Sequence, residues 1–141
     1  MGEDLSLERY QALAEFRFQI RRYVRFSEDA VREAGLVPTQ HQMLLAIKAA
    51  PDQVLTIGEI ADRLIVQHHS AVELVARTEE RGLVERQRGQ RDRRQVFVHL
   101  TDEGEAALAR LAASHHRELK SLAPDLIRSL QRIIADDLTG E

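Results

Sequence analysis

Two groups of side chains in this 141-residue chain have the chemistry to read and grip a polyanion. The first is Gln67-His68-His69-Ser70, with Arg77 farther along. Amide and imidazole groups can donate to purine N7 or O6 at base edges, and none of these polar residues has a packing use where it stands. The bland alternative is a solvated helix start. The second group is Arg88-Gly89-Gln90-Arg91-Asp92-Arg93-Arg94. Four guanidinium groups on one short turn suit a narrow, A·T-rich minor groove, where negative potential is concentrated. Asp92 among them has two uses that spacing does not separate. Its carboxylate can hold one guanidinium by a bidentate pair and leave the others aimed at DNA, or bond its own backbone as a turn residue.

The charge distribution supports phosphate as the partner of the arginines. The chain carries a formal −3 overall, but the twelve residues from Val84 to Gln95 hold five arginines against two acids, so this segment is +3 and the remainder −6. A compact basic patch on an acidic protein leaves one face attractive to phosphate while the rest repels non-specific contact. Other chemistries are excluded or unsupported. The chain has no Cys, so thiol redox sensing, Cys-based zinc sites and cysteine nucleophiles are excluded. No GxSxG, Walker or HExxH pattern occurs, so an enzyme is not expected, and no cofactor is implied. The six histidines (41, 68, 69, 99, 115, 116) invite a zinc-sensing alternative. His115 and His116 are adjacent, so on a helix they point about 100° apart and cannot share one ion as an i, i+4 pair could. A site from His41, one of these and a Glu of the first helix stays open. Nothing approaches the roughly 20 apolar residues of a membrane span, and a cytoplasmic location is expected. Gly2 and Ser6 match a loose myristoylation pattern, which Glu3 and Asp4 make better explained by chance.

The elements that must position these groups follow from periodicity. Apolar or small residues at 13, 16, 20, 23, 27, 30 and 34 predict a helix over about residues 7 to 34, roughly 40 Å long at 1.5 Å per residue. A 141-residue monomer is too small to cover that seam along its whole length, so a second chain is its natural cover. Gly35 and Pro38 are expected to stop it. Thr39-Gln40-His41-Gln42 reads as a capping box opening a helix through Ala50, and Thr56-Ile57-Gly58-Glu59 as another, after a very short strand at Val54-Leu55. Helices over about 57 to 65 and 68 to 81, the second ended by Gly82, form a helix-turn-helix. The period then drops to 2, giving a β-hairpin over residues 83 to 100 with a basic tip and with Val96, Val98 and Leu100 on one face. Thr101 caps a helix to about Leu119, and Pro124 stands near the start of a last one. The expected fold is mainly α with a small β-hairpin wing. It is one domain, with a winged helix-turn-helix lobe at about 39–100 and dimerisation helices at about 5–36 and 102–139.

Ile60-Ala61-Asp62-Arg63-Leu64, the stretch from Leu74 to Arg86, and above all Asp92-Arg93-Arg94 leading to Leu100-Thr101-Asp102-Glu103-Gly104 resemble the multiple antibiotic resistance regulator (MarR) family of bacterial winged-helix repressors. The likeness spans nearly the whole chain, and its most specific part is the DxR wing followed by LTxxG. The resemblance implies a homodimer on a pseudo-palindromic operator, often released by a small phenolic or other lipophilic effector. Carried over by position, Arg94 is the minor-groove arginine, Asp92 its organiser, and Ser70 a contact at the start of the recognition helix. Glu73 stands where an Arg or other polar residue is frequent, and Gln67 replaces the common Ser or Thr cap. Phe16, Ile20, Tyr23, Met43, Ile47 and Leu111 are the candidates to line an effector pocket, although all six are also core residues at helical spacing. A winged helix used only for protein contacts is the third class; it predicts no gain in DNA affinity from the arginines.

Overall fold

The computed structural model describes residues 5–138, with side chains through Ala135; Gly2 and the side chain of Leu138 lie outside the described residues. The element order is α1 (Leu7–Glu33), α2 (Pro38–Ala49), a short 3-10 turn (Pro51–Gln53), β1 (Leu55–Thr56), α3 (Ile57–Leu64), α4 (His68–Glu80), β2 (Val84–Arg88), β3 (Val96–Leu100) and α5 (Asp102–Leu138). The described residues divide into two compact units, one of residues 30–112 and the other of residues 5–29 and 113–138.

In the 30–112 unit, Val31, Met43, Leu44, Ile47, Ile60, Ala71, Val75 and Val98 are fully buried and form one core. The helices deliver these residues at spacings of three and four, which is what puts them on a single face. The hairpin is extended to a three-stranded antiparallel sheet of order β1-β3-β2. Leu55 pairs with Val98 and Thr56 with Phe97, while on the other side of β3 Val84 pairs with Leu100 and Arg88 with Val96. Only Val98 of the expected apolar face is fully buried; Val96 and Leu100 are half-buried. Gly35 and Gly82 end α1 and α4 at φ +81° and +74°, the left-handed conformation that glycine adopts without penalty.

Three expectations are corrected. Pro38 does not stop a helix but begins α2, because its fixed φ suits a first helical position and its missing N–H costs nothing there. The box expected at Thr39 is therefore displaced: the cap residue is Val37, whose N–H donates to Gln40 Oε1 at 3.1 Å. Nor does the C-terminal region break at Pro124, which lies inside one 37-residue helix. Proline's φ is helical and it removes only one backbone donor; its cost in a helix interior, about 3 kcal/mol, is set against continued burial on both sides, at Leu122 and Ser129.

In the other unit, α1 buries Ala12 and Gln19, whereas Leu13 and Ile20 of the expected seam are exposed and Phe16, Tyr23 and Ser27 half-buried. His115 is buried, 2.8 Å by Nε2 from Ser27 Oγ and edge-on to Tyr23 and Phe26. Among the described residues no helix is long and apolar enough to cross a membrane.

Candidate nucleic-acid interface

The first half of the site is the start of α4. Thr56 caps α3, its Oγ1 accepting the Glu59 N–H at 3.2 Å while Glu59 Oε1 accepts the Thr56 N–H at 3.3 Å. This reciprocal box fixes where α3 begins, and a left-handed residue, Ile65, ends it and turns the chain into α4. Gln67 is the cap residue of α4, with no side-chain bond to the helix start. Gln67, His68 and His69 are exposed and Ser70 half-buried, while Ala71, Val75 and Thr78 anchor the opposite face in the core. Arg77, also exposed, is 3.5 Å from Glu73 across one turn, so this predicted site residue has an acidic neighbour on its own helix.

The second half is the tip of the hairpin. Gly89 N–H donates to the Gln95 carbonyl at 2.9 Å and Gln95 N–H to the Asp92 carbonyl at 3.1 Å, which closes the turn. Gly89 is required by close approach: a Cβ there would stand 2.6 Å from the Asp92 carbonyl oxygen. Asp92 serves both uses that the sequence left open. Its Oδ1 accepts the Arg94 backbone N–H at 3.0 Å, and its carboxylate takes Arg94 Nε at 3.2 Å and Nη2 at 3.4 Å. These donors, the backbone N–H foremost, hold the Asp92 carboxyl below the usual carboxylate range. The arginine so held still projects, with its side chain 92% exposed. Arg88, Arg91 and Arg93 are exposed as well.

The structure also places two side-chain pairs at the base of the wing that sequence reasoning missed. Glu79 accepts Arg86 Nε at 3.0 Å and the Arg86 backbone N–H at 2.9 Å, so its carboxyl is held below its ordinary value, chiefly by the side-chain bond. One of the five arginines of the basic segment is thus tied to α4. Glu85 and His99, directly opposite on β2 and β3, approach to 3.1 Å. The i, i+7 spacing of Glu79 and Arg86 crosses a helix end and a glycine turn, which helix periodicity does not reveal. No group of three metal-type ligands stands together among the described residues. Of the pocket candidates, Met43, Ile47 and Leu111 are core residues of the 30–112 unit, and Phe16, Ile20 and Tyr23 belong to the other unit.

Known proteins share this architecture. Residues 34–95 match the sequence model of the MarR family. A protein of Thauera aromatica assigned as a transcriptional regulatory protein for the hcr operon is 31% identical over 102 residues; the match covers 72% of this chain and 60% of that protein's length. AbsC of Streptomyces coelicolor, a MarR family transcriptional regulator, superposes with a TM-score of 0.78 at 20% identity, over 99% of this chain and 100% of its own. Sco3205 from the same organism, a MarR family transcriptional regulator solved in complex with DNA, gives 0.75 at 22% identity over 100% and 94%.

Proposed function

We propose that the chain is a member of the MarR family, whose sequence model its residues 34–95 match, and that it is a sequence-specific double-stranded DNA-binding transcriptional regulator. It acts as a homodimer on a pseudo-palindromic operator, represses, and is released by a small lipophilic or phenolic effector. The observation that carries the DNA-binding part is the pairing, in one compact unit of an acidic protein, of the exposed start of α4 with a hairpin tip bearing four exposed arginines. In this reading Gln67, His68, His69 and Ser70 meet base edges in the major groove. Arg94, oriented by Asp92, enters the adjacent minor groove with Arg88, Arg91 and Arg93 near phosphates, and Arg77 lies along the helix.

The dimer is supported by apolar side chains that this chain leaves in water on α1 and α5, among them Leu7, Tyr10, Ile127 and Ile134. A second copy that covers them would set two recognition helices about one helical turn apart, roughly 34 Å. Selection of bound fragments from a genomic library tests the reading. The expected result is an inverted repeat with half-sites at that spacing, retained by a protein that elutes as a dimer. No retained duplex at low salt, or elution as a single chain, counts against it.

A further inference from the structure

Ile65 ends α3 in the left-handed region, at φ +56°. Its N–H donates to the Asp62 carbonyl at 3.3 Å, and the Val66 N–H reaches back to the Ala61 carbonyl at 3.0 Å. Glycine meets the backbone demand of such a helix end without steric cost, whereas a β-branched residue is strained there. Packing gives nothing back, because Ile65 is 91% exposed, the most exposed large apolar side chain among the described residues. The isolated fold therefore has two reasons to prefer another residue at 65 and none to keep this one.

What lies beside it points to a use. Ile65 lines one concave surface with Gly58, Asp62, Gln67, His68 and Ser70, so its branched side chain stands next to the polar residues that would enter the major groove. Asp62 on the same surface repels phosphate, which leaves base edges as the partner for an apolar group. The apolar feature on base edges in the major groove is the thymine C5-methyl. We infer that Ile65 is a specificity-determining residue that packs against a thymine methyl next to the bases met by Gln67 and His68. The inference rests on the DNA-binding reading above.

The test uses duplexes that the full-length protein enriches from a random library, remade with deoxyuridine in place of each thymine in turn. That change removes one methyl and no hydrogen-bonding group. The parent protein is expected to lose about fourfold in affinity at one thymine position or more, the worth of one buried methyl-sized group. Ile65→Gly, melting at or above the parent's temperature because strain is relieved, should bind the thymine and uridine duplexes equally. A parent indifferent to every replacement, or an Ile65→Gly protein that keeps the parent's preference, overturns the inference while leaving DNA binding intact. Failure to enrich any duplex overturns the DNA-binding reading and this inference together.

Discussion

Asp92 and Arg94, two residues apart, are joined three times: the carboxylate accepts the arginine's backbone N–H and two of its guanidinium N–H groups. The first bond shapes the turn and the other two aim the side chain. Replacing Arg94 with Ala keeps the turn-forming bond and removes only the cation. It should weaken duplex binding and reduce the slope of log K against log salt by about one unit, since each neutralised phosphate contributes roughly that much. Anisotropy titrations over a salt series measure it, and an unchanged slope removes the wing from the interface.

Acid should loosen the attachment of the wing to α4. The Glu79 carboxyl is held below its ordinary value of 4.5 by the Arg86 bonds. A lowered folded-state value means that the ionised form stabilises the fold in full above the unfolded value, and that this contribution disappears as pH falls through the folded one. Glu79→Gln should therefore melt lower than the parent at neutral pH, and the two melting temperatures should approach each other as pH falls below 4.5. A gap independent of pH would show that the ion pair contributes no pH-linked stability.

Gly104 in the first turn of α5 is pressed against the chain where α4 leads into β2. A Cβ there would fall 2.0 Å from the Leu83 carbonyl oxygen, backbone that cannot swing aside. Gly104→Ala should cost about 3 kcal/mol or more, as overpacking against fixed atoms does. Chemical denaturation checks this, and a loss under about 1 kcal/mol would mean that α5 shifts to make room.

The Thr56 box should behave as a helix cap. Thr56→Ala is expected to destabilise the protein by about 1 kcal/mol and Thr56→Ser to restore most of it, read from denaturation midpoints. Equal losses in the two variants would assign the residue's value to its place in β1 instead.

Where local chemistry decides a feature, the sequence was sufficient. Thr56 and Glu59, and Gly35 and Gly82, act through neighbours a few residues away and stand where spacing placed them, and a strand lies over Val96–Leu100 as expected, although only Val98 of its apolar face is fully buried. Where two local rules compete, spacing alone misled. Thr39 looks like a cap, but Pro38 before it is already a first helical residue; Pro124 looks like a start, but burial at Leu122 and Ser129 carries the helix through. Contacts between distant segments were not legible at all. Ser27 and His115 meet across 88 positions, and the two residues of β1 are too few to show a period, so their pairing with β3 could not be foreseen. In the candidate site, the residue types and the tip were readable. The three-way hold of Asp92 on Arg94 and the Glu79–Arg86 tie were not, because both depend on backbone geometry that the hairpin creates.

The two-residue strand has a geometric result. Thr56 is at once the partner of Phe97 in the sheet and the cap of α3, so the hairpin is joined to the helix that precedes α4. One residue thus stands at the junction of the sheet's outer edge and the first turn of the helix that follows it.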